Sequence, residues 1–137
     1  MLSEEIQGET RDTNNPCLFC TEPQGVSLND KLAYSARDSN AVSPGHTVVI
    51  PRRHVASFFE LTSEEINACM ALINEERKLL DEEFKPDGYN IGVNIGQAAG
   101  QSISHVHIHI IPRYTGDVEN PQGGVRHVIP GKGHYKR

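Results

Sequence analysis

His105-Val106-His107-Ile108-His109-Ile110-Ile111 places an imidazole at every second residue, with apolar residues between and after them. A β-strand sends successive side chains to opposite faces. The period of two therefore predicts a strand with all three histidines on one face and Val106, Ile108 and Ile110 on the other. Neighbouring imidazoles would stand roughly 6.5–7 Å apart, close enough for two of them to serve one phosphate-sized group. A core strand with chance histidines is disfavoured, because each buried ring would need its own partner. A three-histidine metal site fits the same strand geometry.

Just upstream lies Gly96-Gln97-Ala98-Ala99-Gly100-Gln101-Ser102. Small residues let backbone amides approach an anion closely, and Gln101 and Ser102 add side-chain donors. No helix pattern follows, so this is not a P-loop. Its position matters more than its composition: it delivers donors to the start of the histidine strand. Tyr89 to Ile95 alternates as a strand, with Tyr89, Ile91, Val93 and Ile95 opposite Asn90, Gly92 and Asn94.

Thr62-Ser63-Glu64-Glu65 is a capping box that starts a helix of roughly five to six turns, stopped near Lys85-Pro86-Asp87-Gly88. Ile66, Cys69, Met70, Ile73 and Leu80 form its expected apolar face, so Cys69 reads as core. Before the helix, Lys31–Arg37 and His46–Ile50 read as strands, parted by the turn formers Asp38-Ser39-Asn40 and Ser43-Pro44-Gly45. Arg52-Arg53-His54 follows the second strand past Pro51, and the two arginines read as a solvated face. Pro16-Cys17-Leu18-Phe19-Cys20 presents two thiols together. The turn residues after it lack a thioredoxin-like context, so the pair reads as half of a zinc site whose other ligands come from elsewhere.

With 137 residues the chain suits one domain. Its formal net charge of −5 argues against a general nucleic-acid coat and for a small-molecule or protein partner. No apolar run approaches a membrane span, and Met1-Leu2-Ser3-Glu4-Glu5 lacks the features of a signal peptide. With three cysteines, an odd number, the expectation is a reduced, cytoplasmic protein that engages neither nucleic acid nor membrane. Residues 1–15 are polar and acidic and read as a flexible arm. Residues 117–137 read as a loop-like tail, with fraying expected over Lys132–Arg137.

The histidine strand resembles the His-φ-His-φ-His-φ-φ signature of the histidine triad superfamily of nucleotide hydrolases and transferases. Cys17-Leu18-Phe19-Cys20, Asp38, Pro44-Gly45-His46, Ile50-Pro51-Arg52-Arg53-His54, Asn94 and Gly100-Gln101-Ser102 fall in that family's usual order. The resemblance covers residues 16–116 as the family's domain. It implies an α+β fold, a bent antiparallel sheet carrying one long helix, with the sheets of two protomers joined in a homodimer. In the zinc-containing branch it implies one structural Zn²⁺ on Cys17, Cys20, His54 and His105, a closed set that also disfavours the three-histidine site.

The resemblance further implies that His107 is the nucleophile at the α-phosphorus, forming a nucleotidyl-imidazole that water or another acceptor resolves. His109 would bind phosphate oxygens with Asn94, Gly100, Gln101 and Ser102, while His46 supports the triad and Asp38 accepts from ribose hydroxyls. The tail resembles a branch associated with dinucleoside polyphosphate hydrolysis, although Gln122 stands where that branch commonly has Arg. Diadenosine tetraphosphate-like substrates are therefore the first expectation. A purine nucleoside phosphoramidase is the second, and a zinc-stabilised regulatory binder with little turnover is the alternative outside enzymology.

Overall fold

A computed structural model describes residues 17–23 and 25–136; the expected arm over residues 1–15 lies outside them. Five strands, β1 (Val26–Asn29), β2 (Ala33–Arg37), β3 (Thr47–Pro51), β4 (Gly88–Val93) and β5 (Ile108–Arg113), form one sheet in the order β1-β2-β3-β5-β4. Every neighbouring pair is antiparallel. A single long helix, α1 (Ser63–Phe84), joins β3 to β4, which makes the fold α+β as expected. The short edge strand β1 was not anticipated from the sequence. No helix among the described residues is long and apolar enough to cross a membrane.

The start of α1 follows from its capping box. Thr62 Oγ1 accepts from the Glu65 amide at 3.1 Å, and Glu65 Oε1 accepts from the Thr62 amide at 2.8 Å. Arg53 then grips both Glu65 oxygens at 2.9 Å, tying the segment after β3 to the helix. Its partner Arg52 lies over the Tyr34 ring and bonds Glu22, Asn29 and the Asp30 carbonyl. The two arginines thus stay at the surface, as expected, and also act as structural ties. The helix ends at Lys85, which is left-handed with φ 50°, ahead of Pro86.

One side of the sheet packs against α1 through Ala33, Val49, Ile108 and Ile110, which meet Cys69, Leu72, Ile73 and Leu80. Two residues depart from the expected stripe. Met70 is 50 % exposed, and the acidic Glu76 is fully buried in its place on the helix face. Ser35 Oγ donates to Glu76 at 2.6 Å and Arg37 at 2.9 Å, so both oxygens of the buried carboxylate are satisfied. At Gly45, φ is +89° and a Cβ would stand 3.0 Å from the Phe84 ring, so both backbone and space favour glycine there.

On the other side of the sheet Phe19, Tyr34, Ala36, Val48 and Ile50 form a second, smaller core, with Cys17, Leu18, Val26 and Ile103 packed on it. His107 and His109 open onto this side. β5 carries His109 between two neighbours, pairing it with Val48 of β3 and Gly92 of β4, and His107 directly precedes the strand. The ladder begins at Ile108 rather than at His105, because the Val106 amide turns aside to the Val55 carbonyl at 2.8 Å.

The tail consists of turns and one 3-10 segment held by specific contacts. Arg113 grips Asp117 at 2.8 and 2.9 Å and Asn90 at 2.6 Å, which fixes its start to β4. Gly124–Val128 forms a 3-10 turn. The chain then folds back on it: Arg126 donates to the Gly133 carbonyl at 3.0 Å and lies 4.7 Å from the Tyr135 ring, and His134 bonds the Asn120 carbonyl at 3.1 Å. Arg137 lies outside the described residues.

Candidate active site

The three histidines leave the strand with three different partners, and the hydrogen bonds assign their protons. His105 is fully buried, and its Nε2–H donates to the Pro51 carbonyl at 2.6 Å, leaving a lone pair on Nδ1. His107 donates from Nδ1 to the His105 carbonyl at 3.0 Å, so its Nε2 carries the lone pair. Burial pushes both rings down to about 4, against the raising effect of those carbonyl bonds, so both are neutral at pH 7.

His109 belongs to a chain that begins at a backbone amide. Val42 N–H donates to His46 Nδ1 at 3.1 Å, which places the His46 proton on Nε2. That Nε2 stands 2.9 Å from His109 Nδ1 and 3.4 Å from Asp38 Oδ2. His109 Nδ1 must then accept, and its own proton sits on Nε2. Burial lowers the pKa of His46 and of His109 below the ordinary value, and Asp38 opposes the shift in both. Asp38, His46 and His109 also bring ligand-type atoms within 4.8 Å of one another. A cation there would need the His46 Nε2 lone pair, which the Val42 amide has already forced into an N–H.

These groups line a cleft of about 280 Å³ on the smaller-core side of the sheet. His107, His109, Asp38, Asn94, Gly100 and Ser102 all stand on its wall, and Leu18, Phe19 and Ile103 supply apolar surface. The rings of His107 and His109 are 5.0 Å apart, closer than the strand rise alone implies. Gln101 does not stand on that wall. Its amide donates to the Ala56 and Ile103 carbonyls at 2.8 and 3.1 Å and accepts from the Gly96 amide at 2.9 Å. The Gln101 side chain, expected as a phosphate donor, here holds the loop that presents Gly100 and Ser102.

Beside the cleft, Cys17, Cys20, His54 and His105 converge. Cys17 Sγ and Cys20 Sγ lie 3.4 and 3.5 Å from His105 Nδ1, Cys20 Sγ lies 3.2 Å from His54 Nδ1, and the two Nδ1 atoms are 3.2 Å apart. A tetrahedral ion with Zn–S of about 2.3 Å and Zn–N of about 2.0–2.1 Å spaces its ligand atoms by roughly 3.3–3.8 Å. Two thiols and two imidazoles, one with its lone pair assigned inward, fit such an ion and leave it no open position. A metal on all three triad histidines does not fit, since His105 Nε2 carries the proton given to Pro51 and its Nδ1 faces the thiols, while His109 Nδ1 accepts from His46.

Phe19 was not singled out in the sequence. Its ring lies 4.9 Å from that of His107, and its carbonyl accepts from Tyr34 Oη at 2.7 Å. Only its place between the two thiols hinted at this.

Fold and site together define the class: the chain belongs to the HIT family, whose domain model matches residues 21–116. Among its relatives is the bis(5'-adenosyl)-triphosphatase of Dictyostelium discoideum, 37 % identical over 69 % of this chain and 64 % of that protein. The AP-4-A phosphorylase of Mycobacterium tuberculosis is 35 % identical over 67 % of this chain, which spans about half of its length (48 %). A Zn-bound histidine triad family protein from Mycobacterium smegmatis has a similar structure, with TM-score 0.67 and 30 % identity over 74 % of this chain and 77 % of that one.

Proposed function

We propose that the chain is a nucleotide hydrolase or nucleotidyl transferase that attacks the α-phosphorus of a dinucleoside polyphosphate through His107. The observation that carries this reading is the 3.0 Å bond from His107 Nδ1 to the His105 carbonyl, on the wall of the cleft. It gives a neutral imidazole whose Nε2 electron pair is ready to attack. The N–P bond forms as the bond from phosphorus to the leaving oxygen breaks. His109, protonated on Nε2, hydrogen-bonds the oxygens on which charge gathers, and the polyphosphate leaves as an anion. Asn94, Ser102 and the Gly100 backbone add donors, and Asp38 takes the ribose hydroxyls. Water then adds to phosphorus as the N–P bond breaks, its protons passing to the product phosphate and solvent, and neutral His107 returns with a nucleoside monophosphate released.

The two relatives named for bis-adenosyl substrates support this substrate class. Zinc on Cys17, Cys20, His54 and His105, with a structural part, is supported by the convergent donors and by the Zn-bound neighbour. When bound, such an ion holds the amino-terminal knuckle to the sheet. We further place a homodimer at the β4 edge of the sheet, where Ile91 is 49 % exposed. Light scattering of the purified chain is expected to give twice the monomer mass; the monomer mass would contradict the dimer.

Product analysis tests the function. Diadenosine tetraphosphate and adenosine phosphoramidate are each incubated with the protein and with His107→Ala, with and without inorganic phosphate. AMP and ATP from the first substrate, only with His107 present, is the expected result. ADP with ATP in phosphate would mean phosphorolysis. Faster turnover of the phosphoramidate would replace the polyphosphate assignment, and AMP binding without any turnover would make the chain a regulatory binder.

A further inference from the structure

We propose that the Cys17–Cys20 knuckle couples metal binding to nucleotide binding, with Phe19 as a positioning residue for His107. The inference rests on the nucleotide reading above. Two connections carry it, and both pass from the four-ligand cluster to the nucleophile through covalently adjacent groups.

The first connection is the knuckle itself. Leu18 and Phe19, the two residues between the thiols, both line the cleft. Phe19 is buried at 7 % exposure, with its ring against those of His107 (4.9 Å) and His105 (6.2 Å). The helix α1 covers the opposite side of the sheet, so on the cleft side the cover over Tyr34, Ala36, Val48 and Ile50 includes the turn Leu18–Cys20. A short turn buries little apolar surface of its own, and ligation of both its ends is a strong additional tie. Where the turn sits therefore decides whether the cleft has this wall.

The second connection is His105. Its Nδ1 faces Cys17, Cys20 and His54, while its backbone carbonyl accepts the Nδ1–H of His107. A shift of His105 moves the acceptor that holds the proton on the far side of the nucleophile. Metal ligation and nucleophile tautomer thus share one residue.

If ligation favours the knuckle position that completes the cleft, linkage requires the reverse: nucleotide must raise metal affinity by the same factor. Couplings of this kind are commonly about five-fold or more. A knuckle that merely stiffens the fold, remote from the cleft in energy, gives no such reciprocity.

The test uses the full chain with AMP and Zn²⁺ as probes. AMP affinity is measured calorimetrically on zinc-loaded protein and on chelated protein whose helical circular dichroism is retained. Zinc affinity is measured by competition with a chromophoric chelator, with and without saturating AMP. The two shifts are expected to agree, at about five-fold or more. Zinc-loaded Phe19→Ala should keep its zinc, lose the AMP-dependent shift in zinc affinity, and lower kcat more than it raises KM, with Phe19→Leu recovering part of the loss. Equal AMP affinity of folded metal-free and loaded protein overturns the proposal. If the metal-free chain unfolds, zinc-loaded Phe19→Ala decides: wild-type AMP binding and turnover overturn it. Failure of AMP to bind any form removes the nucleotide reading, and the coupling with it.

Discussion

His46 Nε2 stands 2.9 Å from His109 Nδ1, and a backbone amide, Val42 N–H, sets the direction of that hydrogen bond from the far side of the His46 ring. The proton on His109 is thereby directed to Nε2, where it can hydrogen-bond a phosphate oxygen. The two rings work as one device, so their effects should not add. His109→Ala should lower kcat about 10²–10³-fold, as for loss of a hydrogen-bond donor to developing charge. His46→Ala should cost part of that, and the double variant no more than His109→Ala alone. Steady-state rates on diadenosine tetraphosphate give the cycle; additive losses would show that His46 acts independently.

The Arg53–Glu65 tie predicts a pH dependence of stability. The Arg53 hydrogen bonds, helped by the Thr62 amide, hold the Glu65 carboxyl down at about 2, below its ordinary 4.5. A depressed carboxylate stabilises the fold above its unfolded pKa, and that contribution is lost as pH falls from about 4.5 towards 2. The urea-midpoint gap between wild type and Glu65→Gln should be full at pH 7 and close across that window. A gap that is constant from pH 7 to 2.5 would contradict the assignment.

Zinc should be present at about one ion per chain by elemental analysis of purified protein. Structural ions contribute folding free energy directly, so chelation or Cys17→Ser should lower Tm. Metal-free protein of unchanged Tm would sink the structural role.

Gln101→Ala should loosen the loop from Gly96 to Ile103, because three hydrogen bonds to that side chain disappear. Faster amide exchange across the loop and a several-fold weaker AMP affinity are expected, with little change in Tm. Unaltered exchange would mean that the backbone turn holds itself.

Much of this architecture is legible in the sequence because its signals are local. Alternation at His105–Ile111 and the Thr62–Glu65 capping box each specify an element through neighbours two or three residues away. The metal ligands carry a recognisable order along the chain. What escapes is long-range. Phe19 meets His107 across most of the chain, and nothing near either residue encodes the contact. Glu76 occupies a core-facing helical position and reads as a violation of the stripe until Ser35 and Arg37 arrive from β2. Gln101 has the chemistry of a phosphate donor, yet carbonyls of Ala56 and Ile103 claim its amide. Exposed Met70 shows the same limit: apolar spacing names a face, but the curvature of packing decides where it ends.

The central claim is a covalent intermediate on His107, and the direct measurement is mass spectrometry of protein quenched within one turnover of diadenosine tetraphosphate and digested under conditions that preserve N–P bonds. The account predicts an adenylyl adduct on the peptide carrying His107, absent from His107→Ala, which should also show no turnover above background. Turnover by His107→Ala at the wild-type rate, or an adduct located on His109, would contradict it.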